Sequence, residues 1–220
     1  MNLFERIFAI PPAAVVPAHS AQSAVLIREL TSADRHQLFQ HLASLDDDDR
    51  LLRFGQVVSD AIVEGYVSGI DFSRDTVFGV FDDNLQLIGV AHVAMLPENG
   101  SERVAEFGVS VLAQARGQGI GSRLFERTAM HCRNKHVKTL YMHCLSRNAT
   151  MMHIAKKAGM DINYAYGEAD AYLTLPPADT ATVVDEILQE QAATFDYAVK
   201  RQVRDTRQLL AAWLPQLKVA

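Results

Sequence analysis

The sequence predicts a mixed α/β (α+β) domain followed by a long C-terminal helix. Three observations carry this. First, β-rich runs with short turn segments between them follow one another directly, as in an antiparallel meander. Second, a run ending at Leu112 passes into a helical pattern through three alternating glycines, Gly117, Gly119 and Gly121. Third, beyond Pro176 and Pro177 the chain changes to one long helical pattern of apolar residues. Strands and helices thus come in mixed order, which is neither an all-parallel alternation nor a sandwich.

The elements follow in order. AVLIREL (24–30) reads as a strand, and Thr31, Ser32 or Asp34 can cap a helix carrying Leu38, Phe39 and Leu42. A second helix is expected after the run Asp46, Asp47, Asp48, Asp49, and a third over 60–68. DTVFGVFD (75–82) and LQLIGVAHVAML (85–96) flank a turn around Asp83 and Asn84, and PENGS (97–101) turns the chain into RVAEFGVSVL (103–112). A helix over 119–133 should turn Ile120, Leu124 and Ala129 toward the sheet. A strand at 138–145, a helix over 148–158 stopped by Gly159, and a hairpin over 164–175 complete the domain. The division expected is an N-terminal extension (1–23), a domain (24–175) and a C-terminal helical extension (176–220).

Composition narrows the partners. In 220 residues the formal charge is −5, which gives no basic footprint for nucleic acid and suits a cationic substrate better. Cys132 and Cys144 form no CxxC, so neither a disulfide framework nor a thiol metal knuckle is expected, and the chain reads as cytoplasmic. IFAIPPAAVVPAHSAQSA (7–24) superficially resembles the apolar stretch and small residues of an export signal, but Glu5 ahead of it and Pro11, Pro12 and Pro17 within it argue against one. No apolar run reaches the roughly 20 residues of a membrane span. His131, His136, His143 and His153 crowd together without HxxxH or HExxH spacing, so no metal is expected.

The glycines need a reason, since each costs roughly 0.5–1 kcal/mol relative to alanine inside an element. Where a strand ends and a helix begins, unpaired amides and the positive end of the helix dipole converge, and such a place binds anions. The stretch is neither a P-loop, lacking GxxxxGK[ST], nor the dinucleotide fingerprint, which requires glycine where Ser122 stands.

ARGQGIG (115–121) contains RxxGxG and, with its strand before and helix after, resembles motif A of the GNAT N-acetyltransferase superfamily. NATMMHIAKKAGM (148–160), about 30 residues on, resembles its motif B. The resemblance covers residues 25–175 and is greatest to the GNAT domain of bacterial protein lysine acetyltransferases. It implies a mixed, mostly antiparallel sheet of six to seven strands flanked by helices. It also implies acetyl-CoA as co-substrate. Amides of Arg116, Gly117, Gln118, Gly119, Ile120, Gly121 and Ser122 would hold the pyrophosphate, and the backbone of Val109 and Val111 would pair with the pantetheine arm.

Acetylating an amine of pKa about 10.4 requires a proton acceptor beside the thioester. Glu106 is the candidate: alternation places it with Gly108 and Ser110 on one strand face, opposite Val109 and Val111, and AEF resembles the segment carrying the catalytic glutamate in that subgroup. DDDDRLLRFG (46–55) resembles an Arg-aromatic patch near the acceptor side, which makes Arg53 or Phe54 a possible acceptor contact. The aspartates also suit a solvated loop before a helix N-terminus. Asn148 is read either as a pantetheine contact or as a helix cap. Many relatives carry a tyrosine seven residues after that asparagine, where Ala155 stands here. The general acid is therefore unassigned, with Cys144, Tyr164 and Tyr172 as substitutes.

The tail pattern runs through Val184, Leu188, Phe195, Val199, Val203, Leu210, Trp213 and Leu217. An unbroken helix there would be roughly 50 Å long, so it either bends after Lys200 and Arg201 or is covered by a second copy, and a homodimer is expected. Arg204 and Arg207 interrupt any regular coiled coil. Two classes of function remain: an enzyme acetylating a primary amine, first a protein lysine and second a small amine, or a non-catalytic acyl-CoA sensor.

Overall fold

The computed structural model describes residues 25–97 and 102–213. Its seven strands are β1 Arg28–Glu29, β2 Thr76–Phe81, β3 Leu87–Met95, β4 Val104–Val111, β5 Thr139–Leu145, β6 Asp161–Ala165 and β7 Glu168–Thr174. They form one sheet in the order β1-β2-β3-β4-β5-β7-β6. Every neighbouring pair is antiparallel except β4 with β5. The expected mixed, mostly antiparallel sheet is present.

Six helices accompany it: α1 Arg35–Ala43, α2 Asp47–Phe54, α3 Asp60–Gly69, α4 Ile120–Asn134, α5 Ala149–Lys157 and α6 Thr180–Trp213. Alternation along the strands divides the interior in two. Val77 and Val90 join a cluster with Leu38 and Leu42 of α1 and Val63 of α3. Phe78, Ala91, Val93 and Phe107 join the opposite cluster with Leu124 and Phe125 of α4 and Ile154 of α5. Both faces of β2 and β3 are covered, so their sequences read as nearly continuous apolar runs.

Several expectations are corrected. The first strand shrinks to two residues, because only Arg28 and Glu29 find partners, on Gly79 and Phe78. The aspartate run begins α2 rather than preceding it: Asp46 is its N-cap, accepting the Asp49 amide at 2.8 Å, and Asp47, Asp48 and Asp49 form its first turn near the positive end of the dipole. On α4, Ile120 and Leu124 are buried as expected, while Ala129 is only half-buried. Most of the turn at 97–101, residues 1–24 and Leu217 lie outside the described residues.

Helix α6 runs through Lys200 and Arg201 without a break, so of the two alternatives the bend is absent. It docks by its polar face. Arg127 of α4, its side chain 2% exposed, bonds Glu186 at 2.7 Å and Glu190 at 3.2 Å, and its guanidinium lies 4.7 Å over the Phe78 ring. Glu186 also takes His131 and Asn134, and Glu190 receives the Glu29 amide, closing that edge of the sheet. Ala193 is 3% exposed whereas Phe195, two residues or about 200° around the helix, is 72% exposed. The predicted apolar stripe therefore faces outward.

Candidate functional site

Strands β4 and β5 pair only over Val104–Glu106 with Thr139–Tyr141 and then part. Opposite them on the other side of β4, the Leu96 amide donates to the Val104 carbonyl and the Leu112 amide to the Ile88 carbonyl, so even-numbered residues bond toward β3. By alternation the peptide groups of Phe107, Val109 and Val111 point into the opening beside β5. The resulting cavity, about 450 Å³, is lined by Glu106, Phe107, Gly108 and Val109 on one side and His143, Cys144 and Leu145 on the other, with Arg53 and Met151 contributing. Glu106 stands at the fork.

The glycine loop follows the end of β4 and leads into α4. Gly117 and Gly119 both hold φ +76°, and a Cβ built on either would touch nothing within 4 Å. Gly119 is the N-cap of α4, and the first bond onto it comes from the Arg123 amide at 3.0 Å, which leaves the preceding amides without intrahelical acceptors. Gly121 has a tighter reason: its Cβ would lie 3.4 Å from Ile154 of α5. The Arg116 side chain turns back, its Nε on the Val111 carbonyl at 3.2 Å and its guanidinium paired with Asp49, tying the loop to β4 and to α2. The aspartate run is thus partly engaged rather than merely solvated.

Alternation places Glu106, Gly108 and Ser110 on the face covered by α1 and α2, as expected. Ser110 donates to Nε2 of buried His41 at 2.8 Å, while Nδ1–H of His41 donates to the Leu87 carbonyl. Burial, reinforced by the Arg53 charge, drops the His41 pKa to about 4. Gly108 leaves a notch: a Cβ there would meet the Arg53 guanidinium at 2.9 Å. Arg53 donates to the Tyr66 hydroxyl at 2.7 Å, Tyr66 donates to Nδ1 of His92 at 2.6 Å, and Nε2 of His92 faces Asp75 at 3.5 Å. Burial, with Arg53 close by, takes the His92 pKa to about 4. Arg53 is thereby held over Gly108, in the lining of the cavity that Glu106 shares, and Phe54 packs edge-on against Tyr66.

Asn148 caps α5, its Oδ1 accepting the Met151 amide at 3.1 Å. Ala155 is wholly buried in the core. Cys144 is buried, which pushes its thiol up to about 11. Sequence reasoning left one group of residues unassembled. Tyr141 donates to Oδ1 of Asp170 at 2.6 Å, and His143 Nδ1 lies 2.8 Å from the same oxygen. The signal was present in the alternation of β5 and β7: residues 140, 142 and 144 are buried and apolar, while Tyr141, His143, Glu168, Asp170 and Tyr172 share the outward face. No group of three or more metal-ligating side chains occurs among the described residues.

The family profile described as acetyltransferase (GNAT) domain matches residues 24–161. Solved structures share the fold at low identity. The GNAT domain of S. lividans PAT is 19% identical, with a TM-score of 0.57 over 68% of this chain and 89% of that one. Ribosomal-protein-alanine N-acetyltransferase from Brucella melitensis is 20% identical, with a TM-score of 0.56 over 68% of this chain and 99% of that one. Spermidine N-acetyltransferase from Vibrio cholerae, in complex with CoA and spermine, is 18% identical, with a TM-score of 0.53 over 67% and 94%. With the profile matched across more than half its length, and the glycine loop and parted strands in place, the chain belongs to the GNAT acetyltransferase family.

Proposed function

We propose that this protein transfers acetyl from acetyl-CoA to a primary amine, with a protein lysine as acceptor and Glu106 as general base. The observation that carries the reading is the fork at Glu106. A carboxylate stands where β4 and β5 part, and the peptide groups of Val109 and Val111 point into the gap. Acetyl-CoA would supply an activated acetyl thioester. The free amides from Gly117 to Ser122 and the open space over Gly117 and Gly119 fit its pyrophosphate, and Val109 and Val111 fit the pantetheine as a strand-like partner. Glu106 would take a proton from the amine, directly or through water. Arg116 would brace the loop through Asp49, and Asn148 would act by capping α5.

The outward face of β5, β7 and β6 supports a protein acceptor: the side chains of His143 and Asp170 are 42% and 37% exposed, so the approach to Glu106 is a groove rather than a closed pocket. The acidic groups there, Glu106, Glu168 and Asp170, suit a cationic segment. The named neighbours span ribosomal-protein alanine and spermidine, so the shared fold does not by itself select the acceptor. The same reading takes the protein as cytoplasmic, without a nucleic-acid or membrane partner. Among the described residues no helix is long and apolar enough to cross a membrane.

Release of free CoA thiol, measured with a panel of lysine peptides, polyamines and amino acids, tests the proposal. Glu106→Gln should bind acetyl-CoA by calorimetry with unchanged affinity and lose about 10²-fold or more in turnover. Normal turnover in that variant would remove Glu106 from its role. Binding without turnover in the wild type would favour an acyl-CoA sensor, and preference for a polyamine would favour a small-molecule acceptor.

A further inference from the structure

Acetylating an ammonium group moves two protons. One must leave before the nitrogen can attack, a second leaves as the amide forms, and the departing thiolate takes one up. Glu106 accounts for one acceptor, and the groups the sequence offered as acid do not serve. Residue 155 is a buried alanine, and Cys144 is buried with its thiol held protonated. The Tyr164 hydroxyl is directed at the Met152 sulfur, 3.6 Å away, and the Tyr172 ring stacks on Tyr141.

Across the cavity from Glu106 stands His143, two residues beyond Tyr141 on β5 and on the same sheet face as Glu106. Its Nδ1 lies 2.8 Å from Asp170 Oδ1, an oxygen already fixed by the Tyr141 hydroxyl at 2.6 Å. A carboxylate acceptor places the proton on Nδ1, so the lone pair is on Nε2. That atom has no hydrogen-bond partner among the described residues; its charged neighbour is Glu168 at 3.8 Å. The groups around the imidazole are Tyr141 on its own strand, Glu168, Asp170 and Tyr172 on β7, Glu106 on β4 and Arg53 on α2. A neutral imidazole can accept a proton at one nitrogen and return it within the same cycle.

We propose that His143, oriented by Asp170, is the proton carrier of the transfer, a role that rests on the N-acetyltransferase reading above. Nε2 takes one proton from the acceptor ammonium. The freed lone pair forms the C–N bond to the acetyl carbon, the C–S bond breaks with its electron pair on sulfur, and the imidazolium returns its proton to that sulfur. The second N–H proton passes to Glu106 and on to solvent. The sum is one amide, one neutral thiol and one released proton, with no oxidant or reductant involved.

The test compares His143→Asn, which keeps a donor to Asp170 but no base, with Asp170→Asn. Expected for His143→Asn is a fall in kcat of about 10²–10⁴-fold, with KM for acetyl-CoA within twofold of wild type. The acid limb of its kcat–pH profile should vanish. Free imidazole should restore part of the rate of His143→Ala. Asp170→Asn should lower kcat less and displace that limb. Unchanged kcat and an unchanged limb in His143→Asn would overturn the proposal while leaving the transferase reading intact. A second arm needs no turnover: bromoacetyl-CoA puts an alkylating carbon at the acetyl position, and mass mapping should find Nε2 of His143 carrying the CH2–CO–S–CoA group with loss of bromide, or a carboxymethyl group once water has cleaved that thioester and released CoA. Labelling elsewhere only, in a protein that binds CoA, overturns the placement. Labelling of His143 in a protein that acetylates no amine sinks the transferase reading instead.

Discussion

Gly119 holds a left-handed backbone with open space where its side chain would be, so alanine there meets strain but no clash. The cost expected for Gly119→Ala is about 1–2 kcal/mol of stability, the penalty of the left-handed region for an L-residue. A methyl group over the amides should also lower CoA affinity by about tenfold or more, which calorimetry would read beside a melting curve. Two other residues set a pH dependence. His41 and His92 are buried neutral, each with a folded pKa of about 4 against an unfolded value near 6.5. A lowered pKa means the folded state resists the proton. The contribution to stability is complete above pH 6.5 and is lost as pH falls from there through 4. The melting temperature should be level above neutrality and drop across that window, and His41→Gln should flatten part of the drop.

Among the elements, α6 is held by a contact that its own pattern conceals. Glu186 is pushed up by burial but held down to about 2 by bonds from His131, Arg127 and Asn134. Its contribution is therefore present above about pH 4.5 and is lost toward 2. Removing it leaves the buried Arg127 guanidinium with the longer contact to Glu190 alone, at 3.2 Å. Glu186→Ala should cost about 3–5 kcal/mol, the range for breaking a buried pair from one side, and should expose α6 to proteolysis. The strands were the legible elements because alternation and turn residues act within a few positions. Helix α6 was legible as a helix but not in its facing. An apolar stripe ordinarily marks the buried side, and only Arg127 and His131, brought near by α4, reverse that rule here.

On the scale of the whole molecule, that reversal leaves an apolar ridge of about 44 Å from Val184 to Trp213 at 1.5 Å per residue. Val184, Leu188, Phe195, Leu210 and Trp213 are all exposed along it. Every described side chain from 201 to 210 is exposed, so the domain itself does not cover this length. A second copy brings the same ridge and can match it by two-fold symmetry, and the homodimer is proposed on that ground. Light scattering should give twice the chain mass for the wild type and a single chain mass for Phe195→Glu. A monomeric wild type at micromolar concentration would end that proposal.

The sequence alone determined the order of elements, the glycine turn and the face of β4 that carries Glu106. These depend on backbone geometry and period-two alternation, which are local. Tertiary structure decided where β4 and β5 part, that Arg53 fills the notch over Gly108, and that Asp170 orients His143. Those pairs lie 55 and 27 residues apart in the chain. Their meeting depends on which strand lies beside which, and β7 inserting between β5 and β6 is a matter of sheet order that no local period encodes.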